Sequence, residues 1–227
     1  MNPIFLAALQ GAAMVSVVAG ATCYDHLIID TRGTGELQGT SIGFAAIIDQ
    51  VKQSVPNVGV HDTIYPAAPD VTQLTTLVGA YDIEQTIQQG LKDCPNQLER
   101  PILIKSAGAT VTNQVLQKYE PTSVEGQAIE AVLLIGNPYH QPLKQSNRDE
   151  DCGNSTAGAT GALVGLGLDI PDAWYETGKV RDICFSDGLV CNGINAGDLF
   201  KPNHLLYGFT PSVIDCGSSF LIDQMES

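Results

Sequence analysis

Two short apolar runs constrain the fold of this chain more than anything else in it. Ala131–Ile135 reads Ala-Val-Leu-Leu-Ile, and Pro101–Ile104 reads Pro-Ile-Leu-Ile. Runs of this length are too short for a buried helix and suit strands covered on both faces, as at the centre of a parallel sheet. Further strand candidates are His26–Thr31, Gly59–Tyr65 and Val180–Phe185. Helical patterns lie between them. Thr40–Val55 puts Phe44, Ile47, Ile48, Val51 and Val55 on one face. Val71–Lys92 carries Leu74, Leu77, Val78 and Tyr81, then Ile83, Ile87 and Leu91, as its expected buried stripe. Val111–Tyr119 and Phe220–Met225 read as two more helices. The alternation predicts an α/β fold: a doubly wound, mostly parallel, five-stranded sheet joined by right-handed crossovers.

The amino-terminal run Pro3–Ala21 is apolar and ends in Ala19-Gly20-Ala21, a small-x-small cleavage pattern. Gln10, Gly11 and Ser16 interrupt it and no stop-transfer charges follow, so residues 1–21 are expected to be a secretory signal peptide rather than an anchor. Residues 22–227 then form one domain. Six cysteines fit an oxidising, extracellular compartment and three disulfides. Spacing alone allows fifteen pairings, and only Cys184 with Cys191 is suggested by proximity. With Asp+Glu 25 against Lys+Arg 11, the net charge of −14 repels nucleic-acid phosphates and anionic membranes. It suits a secreted monomer acting on neutral material. Asn154-Ser155-Thr156 is an N-glycosylation sequon in a loop-like region, with Asn154 the acceptor. The stretch Gln141–Pro171 is long and aperiodic, and reads as the border of a substrate cleft or as variable surface.

Chemistry is suggested where the run ending at Ile104 turns into a helix through Ser106-Ala107-Gly108-Ala109. A serine on such a corner has its hydroxyl exposed above the sheet, and the next amide and the helix N-terminus face any developing oxyanion. The full Gly-x-Ser-x-Gly string is not present: Ile104 stands at the first glycine and only Gly108 remains. By itself the string is an ordinary turn. A nucleophilic serine needs a base and an acid, in the order Ser, Asp or Glu, His. His140 and His204 lie downstream, and His204 follows the last strand, where a triad histidine belongs. Asp187, between Cys184 and Cys191, fits the acid, with Asp182 and Asp198 in reserve. Lys105 adjoins the serine. Trp174 and Tyr175 either line an acyl or sugar site or pack in the core.

Taken in order, several motifs resemble those of the cutinase and acetylxylan-esterase family of secreted serine esterases. They are Arg32-Gly33-Thr34, Tyr65-Pro66-Ala67, Ser106-x-Gly108-Ala109 and Ile135-Gly136-Asn137-Pro138-Tyr139-His140. Cys184 and Cys191 with Asp187 between them, then His204-Leu205-x-Tyr207, complete the series, and the likeness runs from Cys23 to Tyr207. The resemblance implies an α/β-hydrolase-like three-layer sandwich with Ser106 as nucleophile, His204 as base and Asp187 as its orienting acid. It also implies an oxyanion hole at Thr34 and Ala107 and bridges Cys23–Cys94, Cys184–Cys191 and Cys152–Cys216. No cofactor or metal enters such a reaction, and the substrate is an ester of the cutin, lipid or acetylated-polysaccharide kind. Two positions depart from the family pattern: Ile104, and Asp187, which sits three rather than four residues after Cys184. These departures define a second reading, a family member with weakened or lost activity that binds polymer. A third, dinucleotide binding at Gly33-Thr34-Gly35-x-x-x-Gly39, departs from Gly-x-Gly-x-x-Gly spacing and ranks last.

Overall fold

A computed structural model describes residues 23–68, 72, 74–94, 102–193 and 202–227, except for the side chains of 102–107 and 202. The expected signal peptide and Asp198 lie outside the described residues. The elements in order are β1 (His26–Thr31), α1 (Ala45–Ser54), β2 (Val58–Asp62), α2 (Thr76–Asp93), β3 (Ile102–Lys105), α3 (Ser106–Lys118), α4 (Val124–Gln127) and β4 (Val132–Ile135). There follow β5 (Asn147–Arg148), α5 (Asp172–Glu176), β6 (Val180–Ile183), α6 (Leu189–Asn192), two 3₁₀ turns (Pro202–Leu205 and Tyr207–Phe209) and α7 (Pro211–Met225).

The strands form one sheet in the order β2-β1-β3-β4-β6-β5, and every pairing is parallel. Five strands carry it, and the two-residue β5 adds a sixth at the edge. Side-chain alternation divides the core into two layers. Ile29, Val132 and Leu134 pack with Ile83, Ile87, Val111, Val115 and Trp174 on one face. Ile28, Leu133 and Ile135 pack with Phe44, Ile47, Val51, Val213 and Leu221 on the other. Helices therefore cover both faces, which is why the central strands read as unbroken apolar runs.

Three disulfides close: Cys23–Cys94, Cys152–Cys216 and Cys184–Cys191. Chain direction across the sheet reverses between β1 and β3, since β2 lies outside β1 while β3, β4 and β6 run the other way. In open α/β sheets, ligands bind beyond the carboxyl ends of the strands at such a reversal. The helices differ from expectation in their starts, with α1 and α2 beginning five residues later and α3 five residues earlier than expected. In the second half of the expected α2 stripe Ile83 and Ile87 are buried at 0% exposure, but Leu74, Leu77, Val78 and Tyr81 are 64, 53, 51 and 62% exposed, and Thr76, Gly79 and Ala80 are buried in their place. The terminal helix begins at Pro211, nine residues before the expected Phe220, with proline in its first turn.

Candidate active site

The carboxyl ends of β1, β3 and β4 lie side by side. Ser106 follows β3 without a connecting loop: the strand ends at Lys105 and α3 begins at Ser106. Lys105 is level with Ile135, so the backbone of Ser106 is level with Gly136, one strand away, and strand spacing is about 4.8 Å. The side chains of Ser106 and Ala107 lie outside the described residues.

Gly136 has φ +58°, and its missing side chain is what admits the histidine. A Cβ there would stand 2.6 Å from His204 Cε1 and 2.8 Å from its Nδ1. The imidazole thus packs directly on the backbone that follows β4. It meets the Tyr207 ring edge-on, with centroids 6.0 Å apart. Tyr207 is fully buried, accepts a hydrogen bond at its hydroxyl from the Phe185 amide at 3.1 Å, and packs on the Phe185 ring at 4.5 Å. Burial pushes the Tyr207 phenol well above its usual range, so it stays neutral. This tyrosine couples the histidine segment to the chain leaving β6.

The chain leaving β6 is the Cys184–Cys191 ring, closed over seven residues of sequence separation and carrying Asp187. The Ser186 amide and hydroxyl donate to Glu150 at 2.8 and 2.6 Å, and Asn192 Nδ2 donates to the Ser186 carbonyl at 2.7 Å. Asp187 Oδ2 accepts from Asn203 Nδ2 at 2.5 Å. The residue next to His204 therefore grips the carboxylate in the ring. Sequence reasoning missed Asn203, because a side-chain bond across sixteen residues leaves no periodic signal.

Thr34 is exposed in the turn after β1. Behind it, Arg32 is buried and donates to the carbonyls of Glu36 (3.0 Å), Thr63 (3.0 Å) and Tyr65, and to Gln38 Oε1 (2.7 Å). Tyr65 returns a hydrogen bond from its hydroxyl to the Arg32 carbonyl, and the guanidinium lies 4.8 Å over its ring. One cation thus fastens the turn after β1 to the turn after β2. Glu36 accepts from the Gly33 amide (2.5 Å) and the Ser41 hydroxyl (2.9 Å), and Asp30 from the Ser41 amide (2.6 Å). The chain's own carboxylates thus already accept from the Gly33 and Ser41 amides in this glycine-containing turn.

The reserve residues have other work. His140 and Asp182 are both 0% exposed and meet at 3.0 Å, Nδ1 to Oδ1. Asn137 Nδ2 donates to the other Asp182 oxygen at 2.8 Å. Burial opposes the charge on His140, but the Asp182 carboxylate outweighs it and holds its pKa above 6.5. His26 pairs with Glu130 at 3.2 Å and His61 with Asp82 at 2.7 Å. Trp174 is core, with Nε1 donating to the Leu116 and Tyr119 carbonyls at 2.8 and 3.0 Å. Asn154 is exposed, whereas Thr156 of its sequon is buried. Among the described residues, no group of three or more His, Cys, Asp or Glu could hold a metal ion, and no helix is long and apolar enough to cross a membrane.

A search of the solved structures finds the same arrangement of elements in known proteins. A cutinase-like protein from Cryptococcus sp. superposes with a TM-score of 0.81 at 29% identity, over 88% of this chain and 94% of that one. The catalytic core domain of acetyl xylan esterase from Trichoderma reesei gives 0.70 at 19% identity, over 89 and 100%. Trichoderma reesei cutinase, solved with a phosphonate inhibitor, gives 0.58 at 19%, over 89 and 77%. The sequence matches no curated protein. The family model described as Cutinase matches residues 22–225. With nearly its whole length matched and the fold shared, this chain belongs to the cutinase family.

Proposed function

We propose that the protein is a secreted, monomeric serine esterase that hydrolyses carboxylic esters through Ser106, His204 and Asp187, without metal or cofactor. Membership of the cutinase family supports ester hydrolysis. The observation that carries the assignment is the packing of the His204 imidazole on Gly136, level with the backbone of Ser106. The Asn203–Asp187 bond beside it supports Asp187 as the acid.

In this reading Ser106 Oγ attacks the ester carbonyl carbon and gives its proton to His204. The tetrahedral oxyanion is held by the Ala107 amide, at the start of α3, and by Thr34. Collapse expels the alcohol, which takes the proton from His204, and leaves an acyl-enzyme. Water, deprotonated by the same imidazole, then releases the acid. Asp187 steadies the imidazolium in both halves.

The surface around this edge favours an apolar ester. Leu37 after β1 (90% exposed), Ile64 after β2, Leu205, Leu206 and Phe209 beside His204 and the exposed α2 stripe all offer apolar side chains to solvent. That composition suits cutin- or lipid-type acyl chains better than acetyl groups on a polysaccharide.

Hydrolysis of p-nitrophenyl butyrate tests the proposal. The wild type should turn over, and Ser106→Ala and His204→Ala should each lose about 10³-fold or more in kcat. A folded wild type that neither hydrolyses such esters nor loses activity in these variants would overturn it, and would leave a polymer-binding member of the family.

A further inference from the structure

The loop after β5 holds the sequon Asn154-Ser155-Thr156 on a rigid base. The Asp149 carboxylate accepts from the amides of Asp151 (3.0 Å), Gly153 (2.6 Å) and Ser155 (2.8 Å), and from the Ser155 hydroxyl (2.7 Å). Gly153 lacks the Cβ that would stand 2.8 Å from that carboxylate. Cys152 bridges to Cys216 on α7. The Asp149 amide donates to the Gly153 carbonyl and the Ala157 amide to the Asn154 carbonyl, each at 3.0 Å. The Asn154 side chain takes no part in this base. The residue is exposed, and its amide group bonds to none of the described residues.

Thr156 supplies a second, independent observation. It is 2% exposed, and its carbonyl is in use, accepting from the Ala159 amide at 2.9 Å and lying 3.4 Å from His140 Nε2. Its hydroxyl is buried with no hydrogen-bond partner among the described residues. A buried hydroxyl left unpaired costs stability, and valine would fill the same space without that cost. The fold therefore makes no use of the oxygen that distinguishes threonine from valine. The sequon does use it, because glycosylation of Asn-x-Ser/Thr requires a hydroxyl two residues after the asparagine.

We infer that Asn154 carries an N-linked glycan and that the Thr156 hydroxyl serves its attachment rather than the fold. The inference rests on the secreted reading above, since only a chain in the secretory pathway meets the transferase. The donor is an oligosaccharide joined through a diphosphate to an isoprenoid lipid. Asn154 Nδ2 attacks the anomeric carbon, and the bond from that carbon to the diphosphate oxygen breaks. The isoprenoid diphosphate leaves, and the Nδ2 proton passes to a carboxylate of the transferase. Thr156 is buried once the loop closes, so attachment precedes the folding of residues 149–157 and the Cys152–Cys216 bond. Asn154 takes no part in the ester chemistry.

Expression of the full chain, with its own amino terminus, in a glycosylating yeast tests this, with cells and medium both analysed. Peptide N-glycosidase F should lower the mass of the wild type and convert Asn154 to aspartate. Asn154→Gln and Thr156→Val should show no shift, and Thr156→Ser should keep it. Thr156→Val should melt no lower than the enzymatically deglycosylated wild type, because the hydroxyl bonds nothing. A purified transferase with its lipid-linked donor should modify the reduced, unfolded chain and leave the folded, unmodified protein untouched. Asn154→Gln should hydrolyse p-nitrophenyl butyrate as the wild type does. A glycosylated wild type without esterase activity would support this inference while overturning the catalytic one. A wild type without the shift in cells and medium alike, a shift retained in Asn154→Gln, a Thr156→Val protein less stable than the deglycosylated wild type, or glycan transfer to the folded protein would overturn the inference.

Discussion

Gly136 packs on the His204 imidazole and Asn203 holds Asp187, and each yields a single-residue prediction. Gly136→Ala meets two obstacles: a φ of +58°, which costs an L-residue about 1–2 kcal/mol, and a Cβ only 2.6 Å from the His204 ring. The ring must move away from the backbone level with Ser106. Activity on p-nitrophenyl butyrate should fall by about 10² or more, because small displacements of a catalytic group cost that much. The circular dichroism spectrum should stay that of the wild type. Asn203→Ala removes the donor that holds Asp187. A hydrogen bond to a charged group contributes about 1.5–3 kcal/mol, so kcat should drop roughly ten- to hundredfold with KM little changed. If KM rises and kcat stays, Asn203 contacts substrate and does not position the acid.

At the level of elements, the buried His140–Asp182 pair joins the chain after β4 to β6. Removing one partner leaves the other charge buried, and losses of about 3–5 kcal/mol are usual. Asp182→Asn should therefore lower Tm sharply, whereas a surface pair such as Lys144–Asp172 should be nearly silent. The sequence reading located the five principal strands, the serine at a strand-to-helix corner and the Cys184–Cys191 ring, because short apolar runs and close cysteines are local signals. It misjudged α2, for a reason the structure makes plain. Ile83 and Ile87 are buried as expected, but the face that continues from them to the start of the helix runs through 76, 79 and 80 rather than 74, 77, 78 and 81, and periodicity in the first turns does not say which faces inward. Close packing selected the face with Gly79 and Ala80: a Cβ at Gly79 would reach 3.0 Å from Val111. The pairing of the other four cysteines comes from the family resemblance and is the one the structure closes, whereas the Arg32 network and the Asn203 bond rest on contacts between distant residues, which no window of sequence contains.

For the molecule as a whole, two buried or hydrogen-bonded groups set opposite pH limits. His140 has a folded pKa above its ordinary 6.5. Its contribution is complete below about 6.5 and is lost as pH rises through the raised value. Tm should fall on that alkaline limb, and the fall should be absent in His140→Gln. Asp149 works the other way. Burial raises its pKa, but donors from Ser155, Gly153 and Asp151 prevail and hold it below 3.8. Its contribution is present above 3.8 and is lost as pH falls through the lowered value, so Asp149→Asn should flatten the acid limb. The proposed ester chemistry is placed at the carboxyl edge, beside the exposed apolar side chains Leu37, Ile64, Leu205, Leu206 and Phe209. The most direct measurement of that claim is covalent. A fluorophosphonate applied to the full chain, followed by peptide mass spectrometry, should give one adduct per molecule, on Ser106, and labelling should be abolished in Ser106→Ala and slowed in His204→Ala. A folded protein that takes no label, or takes it at another serine, would contradict the account.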